Sequence, residues 1–166
     1  MAPFTSQELR QGFASFATGV TVITCLDENQ AHHGVTISSF NTVSLEPPLI
    51  LWNLKKHSRL MPWVEAGKKH LIHVLERSQE NLAMHFATVK HDQFIGIEHK
   101  LAQSGLAQIE HCVAYYECET VSVYDGGDHN IILAKVISLK NYPEKEPLIF
   151  ARSKFVGLDF AEIKTA

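Results

Sequence analysis

"GVTISSFNTVSLEPP", Gly34 to Pro48, begins like a β-strand and ends in two prolines, and five of its fifteen residues carry hydroxyls. Alternate residues of a strand face opposite ways, so Val35 and Ile37 share one face while Thr36 and Ser38 share the other. One face is dry and the other is equipped to hydrogen-bond. The hydroxyls continue through Ser39, Thr42 and Ser44 into a stretch where Pro47 and Pro48 have no ladder donor to offer. That combination predicts irregular backbone whose free N–H and C=O groups suit a flat, polar-edged heterocycle. The competing reading is a half-exposed strand whose hydroxyls simply meet water.

Upstream of this stretch, Thr5 and Glu8 form a capping-box pattern, Leu9, Phe13 and Phe16 repeat at helical spacing, and Gly19 marks a helix end. "VTVITCL" follows as a strand, "DENQ" as a turn, and a second strand begins near Ala31, which makes a hairpin. Downstream, "LILWNL" reads as a buried strand, a helix is expected from Ser58 to about Ala66, and "HLIHVL" is strand-like. "SQENLAMHFATV" has a Ser cap and places Leu82 and Phe86 on one helical face. From Lys90 to about Ala107 no period stands out, and the expectation is loop, or an arm that leaves the body of the domain. Two long strands, "HCVAYYECETVSVY" and "HNIILAKVISLK", flank the tight connection "DGGD", and "PLIFARSKFVGL" supplies one strand more before an irregular end. Closely spaced strands, a few helices and no βαβ alternation predict a mainly β fold: an antiparallel barrel with flanking helices, as one domain spanning residues 1–166.

Composition narrows the function classes. With 45% hydrophobic and 20% charged residues and a net charge of -3, the chain offers no basic footprint for nucleic acid. No window approaches a membrane span and no signal-like N-terminus is present, so a cytoplasmic protein is expected. Cys25, Cys112 and Cys118 lack CxxC spacing and read as buried free thiols. His70 and His73, three apart on a strand, point to opposite faces, and no zinc framework is present, so no metal is expected. GxSxG, GxGxxG and GxxxxGK[ST] are all absent, which removes the common nucleophile elbow and phosphate loops.

Two further segments can carry chemistry. "NLKKHSR", Asn53 to Arg59, gathers Lys55, Lys56, Ser58 and Arg59 at the end of a strand, which suits a phosphate and equally a solvated basic turn. "DGGDH", Asp125 to His129, sets Asp128 beside His129, which is either a proton relay or a turn chosen for its glycines.

"FASFATGVTVITC", then "GVTISSFNTVSLEPPLILWNLKKHSR", then "GDH", in that order, resemble the flavin reductase-like family, over roughly Leu9 to Leu158. The resemblance implies an antiparallel six-stranded split β-barrel of the FMN-binding type. It implies an NAD(P)H-dependent flavin reductase that takes hydride from NADH or NADPH to FMN, or FAD, and supplies a partner oxygenase. The alternative within the family is a protein that keeps FMN as an electron carrier or store. Carried onto this chain, Val35, Thr36, Ser38, Ser39 and Asn41 become ring contacts. Trp52, Asn53 and Leu54 run along the flavin, Lys55, Ser58 and Arg59 lie near the ribityl phosphate, and His129 stands on the nicotinamide side. A homodimer with the flavin near the subunit interface is implied as well. Two positions depart from the family pattern: Leu60 replaces a usual hydroxyl, and Trp52 is bulkier than the small residue often found there.

Overall fold

A computed structural model describes residues 3–158. Its centre is a seven-stranded antiparallel sheet in the order β3-β2-β6-β9-β10-β5-β4. The strands are β2 (Thr21–Leu26), β3 (His32–Ile37), β4 (Asn41–Leu45), β5 (Pro48–Lys55), β6 (Lys69–Val74), β9 (Ala114–Gly126) and β10 (His129–Asn141). A short β1 (Thr18–Gly19) joins β11 (Ile149–Ala151) and β12 (Lys154–Val156) in a second sheet, and β7 (His99–Leu101) pairs with β8 (Ala107–Ile109). The helices are α1 (Ser6–Phe13) and α2 (Glu80–Thr88).

The central sheet curls around one core. Ile23 and Cys25 of β2, Ile72 of β6, Cys118 of β9, Ile132 and Ala134 of β10, and Ile50, Trp52 and Leu54 of β5 all meet inside it. On the opposite face Val20, Val22, Leu75 and Tyr115 pack against Ala83 and Phe86 of α2, with Ile109 and Leu148. Strand β6 is covered on both sides, and its two histidines show it: His70 lies against Trp52 in the first core and His73 against Tyr115 in the second. The opposite-face reading of that pair holds, because the strand period is two.

The backbone ladder does not close, since β3 and β4 are both edge strands. Side chain and backbone meet at the seam instead: the Asn53 N–H donates to Ser39 Oγ at 2.9 Å. A hydrogen bond of this kind contributes about 1 kcal/mol net. Burying a Trp side chain of roughly 200 Å² contributes about 5 kcal/mol. Packing around Trp52 therefore curls the sheet, and the seam only sets where its edges meet.

Thr5 caps α1 through the expected box, with the Glu8 N–H donating to Thr5 Oγ1 and the Thr5 N–H to the Glu8 carboxylate. The three cysteines are buried and free, and burial pushes each thiol up to about 12. No helix among the described residues is long and apolar enough to cross a membrane.

Seven strands share the main sheet. Three sequence expectations are corrected. The helix expected over residues 58–66 is a single 3-10 turn, Met61–Trp63, because Pro62 and the burial of Leu60 and Val64 tie that segment to the inner core. Residues 90–107 fold back on their own chain: the Gln93 side chain bonds β3, and β7 and β8 form a hairpin. The stretch before the prolines is a paired strand and not free backbone, since β4 pairs with β5 around the Glu46-Pro47 turn, with one irregularity between Thr42 and Ser44. Pro47 lies in the turn and Pro48 is the first residue of its strand, where proline is tolerated.

Candidate functional site

Antiparallel pairing of β10 with β5 sets His129 opposite Lys55, Asn130 opposite Leu54 and Ile131 opposite Asn53. The basic turn and the "DGGDH" hairpin, 70 residues apart in sequence, thereby become neighbours. They are sewn together twice: the Lys56 N–H donates to the Asp128 C=O at 3.1 Å, and the Lys56 ammonium pairs with the Asp125 carboxylate. Asp125 Oδ1 also accepts from the Gly127 N–H at 3.1 Å, which closes the turn. Gly127 has φ +85°, a conformation that costs little only without a Cβ.

His129 Nδ1–H donates to Asp128 Oδ1 at 2.7 Å. That bond holds the Asp128 carboxyl below its ordinary value, so the carboxylate only accepts and the proton belongs to Nδ1. The imidazole is half-exposed, and among the described residues its Nε2 has no hydrogen-bond partner.

Asn53 is the polar member of β5 on the outer face of the sheet, between the core-facing Trp52 and Leu54. Its backbone is bound to Ser39, yet its own Oδ1 is buried with no donor in reach. A buried acceptor left alone is costly. Such an oxygen suits an imide N–H of the kind carried by an isoalloxazine edge. The residues present therefore fit a flavin ring at this seam.

Ser58 and Arg59 sit at the turn after β5. Ser58 Oγ accepts from the Leu60 N–H at 3.3 Å, and the Ser58 N–H donates to the Lys55 C=O at 2.9 Å. Arg59 Nη2 donates to Gln93 Oε1 at 3.1 Å. Among the described residues that is its single hydrogen bond, and it has no carboxylate partner. A half-buried guanidinium without a counter-ion beside exposed Lys55 and a fixed turn is a chemically suitable place for an anion.

The expected site residues divide into three groups. Ser39, Asn53, Lys55, Ser58, Arg59 and His129 gather around the seam and the paired turns. Ser38 and Asn41 are exposed beside them at the end of β3 and the start of β4. The side chains of Val35, Trp52 and Leu54 face the inner core, and Trp52 Nε1–H donates to His70 Nε2 at 3.2 Å. Only their backbones border the seam, because strand alternation sends the side chains inward. Thr36 also turns away: its hydroxyl donates to the Ala83 C=O of α2 at 2.6 Å. The face read as free to bind is covered by a helix. Gln93 went unnoticed in the sequence, since a lone polar residue in an aperiodic segment gives no signal of burial.

A family model described as "Flavin reductase like domain" matches residues 13–159. The chain belongs to the flavin reductase-like family. The reductase subunit HsaB of a flavin-dependent monooxygenase from Mycobacterium tuberculosis is 34% identical over 95% of this chain and 85% of its own length. The FMN reductase (NADH) SmoA of Agrobacterium fabrum is 33% identical, over 90% of this chain and 84% of its own. An NADH:FAD oxidoreductase of Streptomyces globisporus, solved in complex with NAD and FAD fragments, superposes with a TM-score of 0.89 at 35% identity. That match covers 95% of this chain and 94% of the other.

Proposed function

We propose that this chain is an NAD(P)H-dependent flavin reductase that carries hydride from a reduced nicotinamide to FMN or FAD and supplies the reduced flavin to a partner monooxygenase. The observation that carries the reading is the meeting of the basic turn, the Asp128–His129 pair and the donorless Asn53 Oδ1 on one side of the seam. Family relatives named as flavin reductases and as a monooxygenase subunit support it.

A bound flavin supplies a two-electron acceptor for nicotinamide hydride, chemistry that belongs to the cofactor. The residues hold and orient, which is where most of the acceleration comes from when two rings must stack face to face. Asn53 Oδ1 accepts from the ring edge, with Ser38, Ser39, Asn41 and the backbones of Val35, Thr36, Trp52 and Leu54 beside it. Lys55, Ser58 and Arg59 receive the phosphate. His129, kept in one tautomer by Asp128, contacts the nicotinamide side through Nε2.

The curled sheet is read as a six-stranded split barrel with one further edge strand, forming a single domain. A homodimer completes it. Leu45 is 97% exposed at the β4 tip, and Val121, Tyr124, Ile137 and Leu139 stand exposed on β9 and β10. A second copy covering exposed residues of this hairpin removes their apolar area from water.

Anaerobic stopped-flow mixing of protein and FMN with NADH or NADPH tests the reading. Loss of the flavin's visible absorbance, fast with one donor, is expected. Bound FMN that neither donor bleaches would overturn the reductase and leave a flavin carrier.

A further inference from the structure

Gln93 is 4% exposed, in a segment with no regular secondary structure, and all four of its amide's hydrogen-bonding positions are used. Oε1 accepts from the Gly34 N–H at 2.9 Å and from Arg59 Nη2 at 3.1 Å. Nε2 donates to the Gly34 C=O at 3.0 Å and to the Val89 C=O at 2.7 Å. Its own backbone is anchored too, with His85 Nε2–H donating to the Gln93 C=O at 2.7 Å.

Gly34 lies in β3, whose outer edge has no strand neighbour, so its N–H and C=O need a partner from elsewhere. The Gln93 amide imitates a peptide group and pairs with both. Gly34 also lets α2 lie close to β3, since a Cβ there would stand 2.6 Å from Phe86 Cδ1. One lone pair is left over, and it is spent on Arg59. An amide orients the guanidinium without neutralising it, whereas a carboxylate in the same place would form an ion pair and cancel the charge an anion needs.

We infer that Gln93 is a positioning residue for flavin phosphate recognition: it fixes Arg59 against the hydroxyl-rich strand while leaving its positive charge available to a phosphate monoester. The inference rests on the flavin reading above. It assigns a role to a residue outside the strand and turns that carry the site, and links α2, β3 and the basic turn in one unit.

The test uses FMN and riboflavin, which differ only in the phosphate. Dissociation constants come from quenching of flavin fluorescence without nicotinamide, for the wild type, Gln93→Glu, Gln93→Met, Arg59→Met and the Gln93→Met/Arg59→Met pair. Wild-type protein is expected to bind FMN more tightly than riboflavin. Gln93→Glu is expected to reduce that preference about tenfold, the scale of one charge-assisted hydrogen bond. In the double variant Gln93→Met adds less than it does alone, since the two residues act together. Because Gln93→Met also exposes the β3 edge, thermal unfolding of each variant is followed, and Gln93→Glu, which keeps the length and one acceptor, serves where Gln93→Met folds poorly. Equal weakening toward both flavins, or full additivity with Arg59→Met, would reduce Gln93 to a structural clamp and overturn the inference. Wild-type protein that binds both flavins equally overturns it too while sparing the reductase reading, and protein that binds neither removes both.

Discussion

At the scale of single residues, a side chain that reads as a free binding group can be committed to the chain itself. Thr36 shows the consequence. Its hydroxyl bonds the C=O of Ala83, a buried residue of α2, so Thr36→Val removes a bond that ties the helix to β3. The expected loss is about 1 kcal/mol of stability. Urea denaturation should show it as a lower midpoint at an unchanged slope. A variant as stable as the wild type would mean that the hydroxyl is not what holds α2 to β3. Asn53 is the contrasting residue, with an oxygen the chain itself does not satisfy. The family resemblance implied both as flavin contacts. Only their partners separate them: the Thr36 hydroxyl is bound to a helix, whereas Asn53 Oδ1 is among the buried polar atoms the chain leaves without a partner.

At the scale of elements, β6 carries the protein's acid sensitivity. His70 and His73 are fully buried, and desolvation lowers each to about 4, since burial disfavours the imidazolium. Both stay neutral in the folded state and protonate in the unfolded state from about pH 6.5 downward. The unfolded chain thus binds more protons between these values, and stability falls as pH falls through that window, by up to about 1.4 kcal/mol per pH unit for each histidine. Asp27, Asp125 and Asp128, whose carboxyls are held below their ordinary range mainly by hydrogen bonds to His33, Lys56 and His129, lose their share only at lower pH. Denaturation midpoints measured from pH 7 to 4.5 should therefore drop steadily, and a flat profile would contradict the burial of the pair. Elements with a clear period or cap were legible: α1 through its capping box, the β9–β10 hairpin through its glycines, and β6 through its apolar run. The turn after β5 was not, because its helix-like composition is overridden by Leu60 and Val64 reaching into the core.

At the scale of the whole molecule, Val121, Tyr124, Ile137 and Leu139 are exposed apolar residues of β9 and β10, the hairpin that also carries His129. Ile137→Lys together with Leu139→Lys places two charges on that surface, and a monomer is expected where the wild type elutes as a dimer; light scattering on the eluting peak gives the mass. A wild type that is itself monomeric at micromolar concentration would overturn the homodimer. Alternation, caps and turn glycines determined by themselves that this chain is mainly β with few helices, and the ordered motifs pointed to its family, because local backbone preferences and strand periodicity are written residue by residue. Tertiary structure alone decided that Thr36 serves a helix, that Trp52 and Leu54 fill the core, that Lys56 joins two distant turns, and that Gln93 orients Arg59. Each of those depends on which surfaces meet when the sheet curls, and contacts between residues tens of positions apart leave no periodic trace in the chain.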